Sequence, residues 1–117
     1  MDSNSKLLLD HFKNPRNSDP IKDPDLTIEK KNDSCNDEVH YDLTLKDGKI
    51  TAIHFHGKGC VLSQGCASLL SELMIGKTIN ELTTTPPENL HEAFSPSAYP
   101  SRLKCTQLGI NALKSSI

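Results

Sequence analysis

Residues 38–57 read Glu38-Val39-His40-Tyr41-Asp42-Leu43-Thr44-Leu45-Lys46-Asp47-Gly48-Lys49-Ile50-Thr51-Ala52-Ile53-His54-Phe55-His56-Gly57. Val39, Tyr41, Leu43 and Leu45 alternate with His40, Asp42, Thr44 and Lys46, the period-two pattern of a strand with one buried face. Asp47-Gly48 is a two-residue hairpin signal of the type I′ kind, because both central positions of that turn need positive φ. The chain then returns over residues 49–57, with Ile53 and Phe55 on one face and His54 and His56 on the other. Ile50 and Ala52 fall on the histidine face. Either a bulge shifts the phase there or that face is partly covered.

The rest of the chain is arranged around this hairpin. Residues 26–31 predict a further strand. Residues 4–13 predict a short helix with Leu8, Leu9 and Phe12 on one face, ended at Asn14-Pro15 because a residue before proline avoids helical geometry. Residues 14–25, with Pro15, Pro20 and Pro24, read as irregular surface chain. From Val61 to Ile75 the pattern is helical, with Gly76 as a fitting C′ residue. Thr78 caps a short turn through Leu82. Pro86-Pro87 opens a helix over 87–94, residues 95–101 form a loop, and 102–116 make a last helix. The order defines an α+β domain: a small antiparallel sheet of about three strands covered by helices on one face.

The 117 residues suit one domain spanning 1–117, on the usual ~100–200 residues per domain. A net charge of −2 lacks the basic excess of nucleic-acid binders. Three Phe, two Tyr and no Trp leave little for stacking on bases or sugars. The longest uncharged stretch, Gly59 to Ser71, falls short of the ~17–25 apolar residues a membrane span needs. Met1-Asp2-Ser3-Asn4-Ser5 has no basic region, and Leu7-Leu8-Leu9 is too short for a signal sequence, so the expected location is cytoplasmic.

In a reducing cytosol the four cysteines are metal ligands, reactive thiols or small core residues before they are disulfides. The absence of a CxxC pair excludes a zinc ribbon and a thioredoxin-type motif. Cys35 precedes the long strand, Cys60 opens the central helix and Cys105 begins the last one. Such element ends can converge, as a metal site requires. Asp37, two residues after Cys35, shares its side if the chain there is extended. Three thiols and a carboxylate suit tetrahedral zinc and, equally, a labile iron–sulfur cluster. Helix N-termini favour anionic sulfur at Cys60 and Cys105, and Arg102 and Lys104 flank Cys105. Each cysteine taken alone is more readily a small core residue than a ligand, and the spacings carry no general metal signature. Cys66 lies ~120° around the helix from Cys60 and reads as a packing residue. His54 and His56 share a strand face and have the spacing to bind metal, but such a pair is more often a polar strand face and is not assigned. His11, His40 and His91 form no constellation with a cysteine.

These residues also carry a resemblance. Leu9-Asp10-His11-Phe12-Lys13-Asn14-Pro15-Arg16-Asn17, Cys35-Asn36-Asp37, Gly57-Lys58-Gly59-Cys60-Val61-Leu62-Ser63, Ser68, Gly76-Lys77-Thr78 and Tyr99-Pro100-Ser101-Arg102-Leu103-Lys104-Cys105 resemble, in order and separation, the motifs of the NifU N-terminal/IscU/SufU family of iron–sulfur cluster assembly proteins. The resemblance covers almost the whole chain. It departs at Asn36, where the motif has glycine, and at Gly65-Cys66, where an Ala-Ser pair is expected. Asn is the non-glycine residue best able to reach positive φ.

The resemblance implies a metal site of Cys35, Asp37, Cys60 and Cys105, leaving Cys66 aside. One style of the family is a scaffold that builds a [2Fe–2S] cluster and passes it to downstream acceptors, with a His before the third cysteine and a chaperone-binding motif. The other holds zinc and accepts persulfide sulfur from a pyridoxal-phosphate cysteine desulfurase, with an Arg three residues before the third cysteine. Arg102, and the lack of both the His and the chaperone motif, point to the zinc style. The short segment 61–104 is nearer the scaffold length. The expectation is sulfur transfer with Cys35 as acceptor, Cys105 next, Asp37 as an exchangeable ligand and Arg102 orienting or neutralising the site. A zinc-stabilised adaptor without sulfur chemistry is the alternative of another class.

Overall fold

The computed structural model describes residues 2–32 and 36–116. Helix α1 (Ser3–Lys13) leads to strands β1 (Leu26–Asn32), β2 (Asp37–Lys46) and β3 (Lys49–Lys58). These are followed by α2 (Val61–Met74), α3 (Ile79–Thr84), α4 (Pro87–Leu90), α5 (Leu103–Thr106) and α6 (Leu108–Ser115). The sheet is antiparallel in the order β1-β2-β3. Its inner face, carrying Ile28, Val39, Tyr41, Leu43, Ile53 and Phe55, packs on α2 and α6.

The hairpin forms as its sequence predicts, with Asp47 at φ 54° and Gly48 at φ 79°. The phase conflict at Ile50 is resolved by a bulge. Thr44 faces Ala52 and Leu45 faces Ile50, so Thr51 is the extra residue and Ile50 turns inward to full burial. The open edge of β3 is covered from two sides. Phe55 N–H donates to the Asn17 carbonyl (2.6 Å), and Ile50 exchanges backbone bonds with Gly76 and Lys77, which closes an edge otherwise open to foreign strands.

Helix α1 differs from its expected face. Leu8 and His11 are the buried pair, while Phe12 stays 39% exposed. The reason is polar: His11 Nδ1 meets Ser68 Oγ at 2.8 Å and Nε2 meets Glu72 at 3.1 Å, so a buried imidazole is satisfied on α2. Arg16 N–H donates to the same Ser68 hydroxyl, and Asn17 donates to Ser71. Gly65 completes this contact. A Cβ there would lie 2.5 Å from the Leu8 carbonyl oxygen, so the glycine that weakens α2 by ~1 kcal/mol relative to Ala is what lets α1 dock.

The expected helix over 87–94 breaks at His91 (φ −166°), whose Nδ1 accepts the Ala93 N–H and caps a separate 3₁₀ turn. The expected helix over 102–116 breaks at Gln107 (φ −102°), whose side chain donates to the Phe94 carbonyl at 2.7 Å. The first break is a side-chain bond to local backbone, the second a side-chain bond to a carbonyl 13 residues earlier in the chain, and helical periodicity registers neither. Thr78 and Glu81 form a full capping box on α3, as the sequence suggests.

Burial holds the His11 imidazole below its ordinary pKa, with Arg16 adding to the effect and Glu72 opposing it. Below the ordinary value near ~6.5 the unfolded chain therefore binds more protons than the folded one, and stability falls as pH falls through that window. The urea midpoint should be lower at pH 5.5 than at pH 7.5, and His11→Gln should flatten part of that slope, His56 keeping a share because its pKa is also lowered. An unchanged slope in the variant would contradict the assignment.

Candidate metal centre

Three elements end at one place. Asp37 opens β2, Cys60 is the N-cap of α2, and Cys105 lies in α5. One donor atom from each of Asp37, Cys60 and Cys105 lies within 4.8 Å of the others. Among the described residues no other such group of three forms. Cys35, the fourth expected donor, lies outside the described residues.

The arrangement is held by hydrogen bonds. Asp37 is fully buried, and its Oδ1 accepts the Cys60 N–H at 3.1 Å. Gly59, at φ 148°, makes room for this: a Cβ there would collide with the Asp37 carboxylate. The Gln64 side chain donates to the carbonyls of Glu38 and Lys58 at 2.9 Å each, pinning the ends of β2 and β3 to α2. Asn36 takes φ 55°, so the asparagine in place of the motif glycine does adopt the positive φ it was expected to tolerate.

Cys60 Sγ accepts the Ser63 N–H at 3.4 Å and an Arg102 Nη2–H at 3.2 Å. The Arg102 guanidinium thus meets the Cys60 sulfur at the N-terminus of α2. Cys105 is buried, whereas Cys60 is half-buried. Cys66 is buried behind the site, and burial, with the nearby Cys60 and Cys105 sulfurs, pushes its thiol far above the ordinary range. It is a core thiol, as its position on the helix suggests.

The donor set fits a metal. Asp37 Oδ2 is buried with no hydrogen-bond partner among the described residues, an arrangement that costs free energy unless something positive meets it. Two sulfurs and a carboxylate oxygen are ligand types of tetrahedral zinc, whose bonds of ~2.0–2.3 Å place its ligands in such proximity. The residues that periodicity missed are His11 and Ser68, which hold α1 against the helix carrying Cys60. The stripe of Gly65, Ser68 and Ser71 was the available signal.

Over residues 3–117 the chain matches the family described as the NifU-like N-terminal domain, and it belongs to that family. It is 30% identical to the iron–sulfur cluster assembly scaffold protein IscU of Thermotoga maritima, covering 97% of this chain and 91% of that one. It is 31% identical to IscU 1 of Archaeoglobus fulgidus over 113 residues, covering 97% and 73%. With the zinc-dependent sulfurtransferase SufU of Bacillus subtilis the identity is 23% over 129 residues, covering 96% and 87%. The fold superposes on a SUF-system scaffold protein of Fervidobacterium islandicum with a TM-score of 0.80 and 27% identity, covering 95% and 93%. The α+β fold is thus that of the family. No described helix is long and apolar enough to cross a membrane.

Thiol reactivity checks this geometry. In metal-free native protein at pH 7.5, iodoacetamide should modify Cys60 at least about tenfold faster than Cys66, since the reactive species is the thiolate. Peptide mapping by mass spectrometry reads the order, and equal rates would contradict the buried placement of Cys66.

Proposed function

We propose that this chain is an iron–sulfur cluster assembly protein in which Cys35, Asp37, Cys60 and Cys105 form one metal-holding set, and in which Cys35 accepts persulfide sulfur from a cysteine desulfurase. The observation that carries the reading is the convergence of Asp37, Cys60 and Cys105 around a buried carboxylate oxygen with no partner among the described residues. Arg102 against Cys60 supports the sulfur-transfer form, as does the similarity to a zinc-dependent sulfurtransferase.

Zinc bound at these donors would keep the thiols deprotonated and capped until the partner docks. The chain's own residues supply the rest. Asp37 contributes a carboxylate, a ligand more readily exchanged than a thiolate. Arg102 neutralises charge that accumulates when an anionic persulfide approaches. In the transfer, the Cys35 thiolate attacks the outer sulfur of the donor's cysteine persulfide. A sulfur–sulfur bond forms at Cys35 Sγ, the donor's sulfur–sulfur bond breaks, and the donor cysteine leaves as thiolate with the electron pair. No oxidant or reductant enters.

A second reading, a scaffold that carries a [2Fe–2S] cluster as cargo to acceptor proteins, is favoured by the short segment between the second and third cysteines, only residues 61–104. A cytoplasmic setting, with a single domain, suits either reading.

Incubation with a cysteine desulfurase and cysteine under anaerobic conditions should add sulfur at Cys35, read by mass spectrometry. Cys35→Ser should lose that acceptance and keep its far-UV circular dichroism. Sulfur acceptance by neither protein, or equally by both, overturns the transfer reading. Iron and acid-labile sulfide in protein purified without oxygen would select the scaffold. Unfolding on zinc removal, with no sulfur accepted, would select the adaptor.

A further inference from the structure

The solvent face of the sheet is a grid set by strand register. Lys31, Glu38 and Lys58 form one cross-strand row, Glu29, His40 and His56 the next, and Thr27, Asp42 and His54 the third. The first row is closed by two ion pairs of 3.2 Å on Glu38. The other two rows gather three of the chain's five histidines around one carboxylate. Asp42 Oδ1 meets His40 Nε2 at 2.9 Å and Oδ2 meets His54 Nδ1 at 3.1 Å. The His40 and His56 rings stack with centroids 4.2 Å apart, and His54 and His56 are 5.1 Å apart.

We propose that His40, His54, His56 and Asp42 form a second metal site, for a borderline divalent transition-metal ion, on the sheet face remote from the helices. Three imidazoles and a carboxylate are the donor set that such ions prefer over magnesium or calcium. A His-X-His pair on one strand with a third His across from it supplies three donors from a rigid backbone, since strand residues two apart share a face. Glu29 Oε2 lies 3.3 Å from His40 Nδ1. A carboxylate on one ring nitrogen is the usual outer contact of a histidine that ligates through the other, and Nε2 would exchange its Asp42 contact for the ion.

Charge points the same way. The lysines of the first row are engaged by Glu38, and the carboxylates of the other two rows, Glu29 and Asp42, face histidines rather than lysines. The donors of this group do not all lie within 4.8 Å of one another in this structure. His56 is exposed, and rotation of an exposed ring is a fast side-chain motion. The proposal is independent of the function proposed for the thiolate centre.

Anaerobic titration of the full chain with Co²⁺ separates the two sites. Thiolate coordination gives intense near-ultraviolet charge-transfer bands, and imidazole–carboxylate coordination gives only weak visible bands. Wild type should bind two equivalents, one of each kind. His54→Gln/His56→Gln and, separately, His40→Gln should weaken the weak-band equivalent at least about tenfold. His91→Gln, outside the grid, should bind as wild type does. Saturation of wild type without a weak-band equivalent, or its persistence in the double variant, overturns the proposal. Loss of the charge-transfer equivalent alone would leave this site supported and the thiolate centre overturned.

Discussion

The contact on which the site depends is the bond from the Cys60 N–H to the buried Asp37 carboxylate. It ties the first residue of β2 to the N-cap of α2, across the turn that leaves β3. The bond needs Gly59, because any side chain there would occupy the carboxylate's space. It uses one oxygen of Asp37 and leaves the other buried and unpaired among the described residues. A fully buried carboxylate with an idle oxygen is costly in a protein that only has to fold. The fold keeps it where two cysteine sulfurs also arrive.

The remaining packing preserves that meeting point. Gln64 pins both strand ends to α2. Tyr41, fully buried, donates its hydroxyl to the Ala67 carbonyl at 2.6 Å and fixes the middle of α2 on the sheet. On the far side of α2, Gly65, Ser68 and Ser71 receive α1 and the segment after it. The helix that presents Cys60 is therefore clamped on two faces, while Cys60 itself stays partly open to solvent. Arg102 reaches the same sulfur from the turn before α5, so the segment bearing Cys105 also contributes a positive charge.

Much of this was legible in the residues. The hairpin was clear because period-two alternation and Asp47-Gly48 agree, and even the phase error at Ile50 correctly signalled a bulge. Helix ends with a backbone signature, such as Gly76 and the Thr78–Glu81 cap, were equally readable. Breaks at His91 and Gln107 were not, because each rests on a single side-chain bond to backbone, His91 to the adjacent turn and Gln107 to Phe94 in a different segment. The burial of His11 rather than Phe12 was not readable either: its partners Ser68 and Glu72 lie on another helix, and a single imidazole gives no periodic signal. For the site, placement of cysteines at element ends singled out Cys60 and Cys105, and an extended Asp37 followed from strand geometry. The choice of these over Cys66 came from helical angle together with the family motifs.

The central claim is that these donors form one sulfur-rich centre. X-ray absorption at the zinc edge, on protein loaded with one equivalent of zinc, tests it most directly. The account predicts a first shell dominated by sulfur at about 2.3 Å with one oxygen at about 2.0 Å. A shell of nitrogen and oxygen alone, or no stoichiometric zinc binding, would contradict it.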